Sequence, residues 1–181
     1  MTMTMRRRGG VVLVLWSLVV ALVLAADVRV TPLVTAGHVF ASFAAGDSYT
    51  TEVREAVQSG LPTTLTFVVE LRQAAVIWFD RTVSTVTVAS SIKYDTLTRT
   101  FQVSKMTDGQ VFSSESTTKE DDVRKWATEF ERVSLSKGDD LEANGEYYVR
   151  VRMRATPRRS FSLWPWGRDD ATGRADFTFI R

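Results

Sequence analysis

Gly46-Asp47-Ser48 follows an alternating apolar stretch ending near Ala44 and has the form of the nucleophile block of the Gly-Asp-Ser-type esterases, with Ser48 as the attacking hydroxyl. Such a hydroxyl attacks only when a base, normally a histidine oriented by a carboxylate, takes its proton. The chain has one histidine, His38, and it lies upstream of Ser48 rather than in an Asp-x-x-His block near the C-terminus. Asp47 and Ser48 are also helix-capping types standing just before a helical period, and capping explains them without further requirements. The sequence therefore predicts a cap here and no enzyme, with a serine hydrolase using Ser48 as the alternative.

Other chemistry has a thinner basis. One imidazole and no cysteine make a poor zinc site and exclude disulfides and thiolate nucleophiles. Glu120-Asp121-Asp122 and Asp139-Asp140 with Glu142 are acidic clusters, but neither has the alternating oxygens and central glycine of a calcium loop. Glu70 and Asp80 could form a carboxylate pair for glycoside cleavage, yet nothing in the sequence fixes their separation. No glycine-rich phosphate loop is present. The expectation is no metal, no cofactor and no nucleotide.

The arginines are more informative. Between Glu146 and Ala155 the chain alternates, so Tyr147, Val149, Val151 and Met153 face one way and Tyr148, Arg150, Arg152 and Arg154 the other. Arg158, Arg159, Trp164, Trp166 and Arg168 follow in a long loop. These eight Arg and Trp residues together form a candidate contact for an anion or a membrane surface, since tryptophan favours the membrane–water boundary and arginine anionic headgroups. The competing expectation is an outer sheet face whose arginines pair with acids of a neighbouring strand, and tryptophans that plug the core.

The elements that must position these residues centre on Glu52 to Gln73. Val53, Ala56 and Val57 fall at helical spacing, Gly60 suits a helix end and Pro62 forbids continuation. The period then becomes two, with Leu65, Phe67, Val69 and Leu71 on one face and Thr64, Thr66, Glu70 and Arg72 on the other. Strands are predicted from Asp27 to Thr35 and His38 to Ala44, around a turn at Gly37. Further strands run from Val83 to about Lys93, from Thr98 to Lys105 and from Gln110 to Ser113, the last two joined by a hairpin at Asp108-Gly109. Thr117-Thr118-Lys119-Glu120 has capping-box form, and Val123, Trp126, Ala127, Phe130 and Val133 then fit one helical face. Arg174 to Arg181 reads as a last strand.

At the N-terminus Arg6, Arg7 and Arg8 precede an apolar run from Val11 to Ala26. This is the pattern of an export signal, with Val23-Leu24-Ala25 as a cleavage site, or of a retained N-terminal anchor. Either way the positive-inside rule puts the rest of the chain outside the cytoplasm. With those arginines set aside, the remainder is nearly neutral and has no global attraction for nucleic acid.

Glu55-Ala56, Gly60-Leu61-Pro62, the Phe67-to-Leu71 strand, Trp78 with Asp80, and Tyr94-Asp95-Thr96-Leu97-Thr98-Arg99 form a familiar pattern. It resembles the bacterial exported-protein family catalogued as domain of unknown function four-three-nine-zero. The resemblance implies an extracytoplasmic domain of unassigned activity, often encoded beside membrane sensor kinases of the nitrogen-regulation type. It transfers no catalytic residue, and the Trp-Pro-Trp loop lies outside its pattern.

The combined expectation is a mainly β protein, an antiparallel β-sandwich or β-rich α+β fold with two helices. Residues 1–25 are a signal peptide or membrane anchor, and residues 26–181 a single β-rich extracytoplasmic domain. Its function is that of a binding or interaction module of the cell envelope, periplasmic or held at the inner membrane, with an envelope protein or the membrane surface as partner. A membrane-anchored scaffold is the other alternative.

Overall fold

The computed structural model describes residues 28–75, 79–154 and 172–180. The first strand, β1 (Arg29–Thr35), turns through Ala36-Gly37 into β2 (His38–Ala44). Both turn residues have positive φ, 48° and 69°, the twist that matches antiparallel strands. After a single 3-10 turn at Gly46–Ser48 comes α1 (Thr51–Gln58). Its cap is Thr50, whose hydroxyl accepts the Val53 N–H at 3.4 Å, so the sequence expectation of capping by Asp47 or Ser48 is corrected. The helix stops as expected. Gly60 at φ +81° lets its own N–H reach the Val57 carbonyl and the Leu61 N–H reach that of Ala56, which closes the last turn.

The organising strand β3 (Thr63–Gln73) lies between β4 (Arg81–Asp95) and β8 (Glu146–Arg154), antiparallel to both. β4 carries one extra residue near Val83, which is why Val83 and Val86 both pack on the core despite their odd spacing. It continues to Asp95, whose carboxylate accepts the Leu97 and Thr98 N–H groups and builds the turn, and β5 therefore starts later than expected (Thr100–Thr107). Asp108-Gly109 forms the expected hairpin, with φ of 47° and 82°, into β6 (Gln110–Thr117), longer than its apolar residues suggest.

The second helix, α2 (Glu120–Thr128), gives two corrections. The capping box does not form: Lys119 is the cap residue, and Thr117 Oγ1 instead accepts the Lys119 N–H and donates to Asp122. The helix also ends before Phe130. Phe130 and Val133 belong to strand β7 (Glu129–Lys137), where an irregularity around Arg132, at φ +52°, inserts a residue and spaces them three apart as a helix would. A last strand, β9 (Thr172–Thr178), pairs with β8.

The strands form two antiparallel sheets, one of six in the order β6-β5-β4-β3-β8-β9 and one of three in the order β1-β2-β7. Their inner faces enclose the core. Phe43 of β2, Phe67 of β3 and Phe130 of β7 meet there with ring centroids 5.1 to 5.8 Å apart, and each helix adds an apolar stripe, Val57 from α1 and Val123 with Ala127 from α2. The architecture is the antiparallel β-rich sandwich with two helices that the alternation implied. No described helix is long and apolar enough to cross a membrane.

Candidate functional site

Because Phe67, Val69 and Leu71 point into the core, their neighbours Val68, Glu70 and Arg72 point to the opposite face of the six-stranded sheet. Pairing with β8 sets Glu70 opposite Arg150, Val68 opposite Arg152, Thr66 opposite Arg154 and Arg72 opposite Tyr148. Pairing with β9 sets Arg150 opposite Arg174 and Tyr148 opposite Asp176. Strand register alone thus gathers five arginines, one tyrosine and three acids, Glu70, Glu146 and Asp176, on one surface.

Glu70 is the node. It is only 9% exposed; its Oε2 accepts Nε and NH2 of Arg150 at 3.1 and 2.5 Å, and its Oε1 accepts NH2 of Arg152 at 2.6 Å. Burial pushes the carboxyl pKa up, but the hydrogen bonds and charges of the two guanidiniums outweigh it and hold Glu70 below the usual range. Tyr148 forms a second node. Its buried ring has Arg174 stacked at 3.7 Å and Arg72 at 5.9 Å, and its hydroxyl donates to Asp80 Oδ2 at 2.6 Å. That bond, with a further one from the Ala75 N–H, lowers the Asp80 pKa; burial and then the same bond raise that of Tyr148. Arg174 in turn pairs with Asp176 at 2.6 Å.

The face keeps a cationic surplus at one end, because Arg150, Arg152 and Arg154 are answered there by Glu70, whereas Asp80, Asp176 and Glu146 lie toward the start of β8 with Arg72 and Arg174. The unanswered charge lies toward the end of β8. The Arg152 side chain is 46% exposed although bonded, and Arg154 is exposed with no ion pair among the described residues. Arg150 and Arg152 thus pair with an acid of the adjacent strand, as the competing expectation had it, while Arg152 and Arg154 present guanidinium groups to solvent. Arg158, Arg159, Trp164, Trp166 and Arg168 lie outside the described residues. Sequence reasoning put Tyr148 on the face of the β8 arginines but missed that Arg72 and Arg174 join it. Alternation gave each side chain its face, but only the order β3-β8-β9 brings them together.

The other candidates are not assembled. His38 is the first residue of β2 and Ser48 lies beyond its other end, and the seven residues of the strand span roughly 20 Å. His38 Nδ1 contacts the Ala36 carbonyl, and the hydroxyl of Ser48, a residue 4% exposed, has no hydrogen-bond partner. Glu70 and Asp80 are each held below the ordinary range, whereas a glycosidase acid needs a raised pKa. Glu120 is engaged by Arg54 and Gln58, Asp140 by Ser136 and Glu142 by Gln73. Among the described residues no group of three acids or histidines is placed to share a metal.

No curated protein and no solved structure matches the chain. A family model described as Domain of unknown function (DUF4390) matches residues 26–159, most of the chain, and the chain belongs to that family.

Proposed function

We propose that this is an exported envelope protein that works as a binding module and docks through its arginine face on an anionic surface, that of the membrane. The observation that carries the reading is the cationic surplus at one end of a sheet face, with the solvent-facing Arg152 and Arg154. The chain leaves β8 at that end and enters a stretch containing Arg158, Arg159, Trp164, Trp166 and Arg168. Guanidinium groups recognise phosphate oxygens in pairs, and each cation near an anionic leaflet adds about 1 kcal/mol. Export rests on Arg6 to Arg8 before the apolar run. If the run is cleaved the domain is periplasmic; if it is kept, the same domain is an anchored scaffold at the inner membrane, and sequencing the mature N-terminus separates the two.

The test is co-sedimentation of the chain from Asp27 onward with neutral and with anionic vesicles at low and high salt. Binding is expected only to anionic vesicles, falling with salt and lost in Arg152→Glu with Arg154→Glu. Binding that ignores lipid charge, or that survives the double substitution, refutes the docking.

A further inference from the structure

The sandwich is closed along one side and open along the other. On the closed side β9 backs onto β1, where a Cβ placed on Gly173 would collide with the carbonyl oxygen of Val28, the residue before β1. On the open side β6 ends the large sheet and β7 the small one, so each leaves an edge without a strand partner among the described residues. A groove of about 380 Å³ runs between them, with Phe112, Trp126 and Phe130 in its lining.

Two local features shape this groove. The β5–β6 register shifts between the pairs Lys105–Ser113 and Met106–Val111, which leaves Phe112 as an extra residue. A bulge re-aims the side chain it carries; Phe112 lines the groove with Ser113 and Glu115 and stays 60% exposed. An exposed phenylalanine on an unpaired edge strand is a liability for a free chain and an anchor for a bound one. Across the groove, the Thr128 carbonyl is taken by the N–H of Ala45, the residue after β2, so the next carbonyl, that of Glu129, faces the open side. Lys105 Nζ donates to it at 2.8 Å and lies 5.3 Å from the Phe130 ring. The carboxylates of Glu115, Glu129 and Glu131 all act on the Lys105 ammonium, and with Lys125 the lining holds two cations against three anions, so the groove keeps a net negative charge.

We propose that this groove docks an extended peptide segment of a partner protein, one that lays a bulky apolar side chain against Phe112 and Trp126 and sets a Lys or Arg beside Glu115 and Glu131. The eight-residue edge of β6 supplies backbone donors and acceptors for an added strand, the apolar lining supplies an anchor pocket, and the acidic rim supplies the charge preference. The same rim argues against other occupants. Anionic lipid is repelled here and drawn to the arginine face. A second copy pairing through β6 brings only another Glu115, the single charged residue of that strand, and no cation to answer the rim.

The experiment uses the full chain and two fluorescein-labelled peptides, Ser-Lys-Val-Trp-Val-Lys-Ser and its counterpart with Glu in place of Lys, followed by anisotropy. The Lys peptide is expected to bind at least tenfold more tightly than the Glu peptide. Phe112→Ser, and separately Glu115→Lys with Glu131→Lys, should each weaken it at least tenfold. Arg152→Glu with Arg154→Glu should leave it unchanged, which keeps this docking distinct from that of the arginine face. Amide shifts in β6, α2 and the start of β7 on adding the Lys peptide would locate it. Equal binding of the two peptides, no binding of the Lys peptide, or indifference to both sets of groove substitutions overturns the proposal. A dimer dependent on Phe112 would assign the groove to a second copy and overturn it as well.

Discussion

Replacing Glu70 by Gln tests whether the arginine face is held together by one carboxylate. The substitution preserves shape and removes charge, leaving Arg150 and Arg152 beside a neutral amide on a surface where the glutamate was 9% exposed. A fully buried ion pair broken on one side costs about 3–5 kcal/mol, and an exposed one below about 1. Here the carboxylate is nearly buried while its partners are 28% and 46% exposed, so solvent takes up part of the uncovered charge. Charged hydrogen bonds contribute about 1.5–3 kcal/mol each; discounting the bond to the more exposed Arg152 gives an expected loss of about 2 kcal/mol at neutral pH. The sign of the pH dependence follows from the lowered pKa. Glu70 binds its proton less readily folded than unfolded, so its contribution is complete well above the ordinary 4.5 and is lost as pH falls through the folded value below it. Urea unfolding of both proteins at pH 7 and at progressively lower pH measures this directly. The two midpoints should differ most at pH 7 and converge in acid. A difference that stays constant below pH 4, or none at pH 7, would refute the reasoning.

Ser48→Ala should leave stability unchanged or raise it by about 1 kcal/mol, since the hydroxyl is buried without a partner and a buried unpaired polar group is a cost; a clearly lowered urea midpoint would mean that the hydroxyl has an essential contact. Gly173→Ala should destabilise by at least about 1–3 kcal/mol, because the added methyl meets the Val28 backbone and the seam between β9 and β1 must part. A variant melting at the parent temperature would show that the seam yields without cost.

Alternation and turn chemistry carried most of the fold. The inner residues of β3 and β8 were legible because both strands keep a clean period of two, and the Asp108-Gly109 hairpin because few other dipeptides accept two positive φ values. β7 was not legible, and for a specific reason. Its irregularity near Arg132 places Phe130 and Val133 three apart, and together with Trp126 and Ala127 they continue a helical period across a helix end. The usable signal was local: Val133 and Leu135 alternate, and the chain from Glu129 onward has no helix-stop residue only because Thr128 passes directly into a strand. For the site, the face of each arginine could be read, but its partner could not. Glu70 and Arg150 are eighty residues apart in the chain, and their meeting depends on β8 lying beside β3, which no local pattern encodes.

The same irregularities that obscured the sequence give the molecule two chemically different sides. In regular strands the period of two separates apolar from polar residues, and it makes the outer face of β3, β8 and β9 a polar layer with arginines in register. Where an extra residue enters, that separation fails locally. At Phe112 it puts an aromatic ring on an edge; around Arg132 it leaves the Arg132 N–H, no longer matched within the ladder, to be taken by the Ser42 hydroxyl. Both of these irregularities are on β6 and β7, the strands that border the open side, whereas the extra residue near Val83 is on the interior strand β4 and keeps Val83 and Val86 on the core. A cationic face made by regular strands and an aromatic, acid-rimmed groove made by bulged ones attract opposite charges. On the two docking proposals the surfaces are therefore expected to select different partners and to hold both at once without competition.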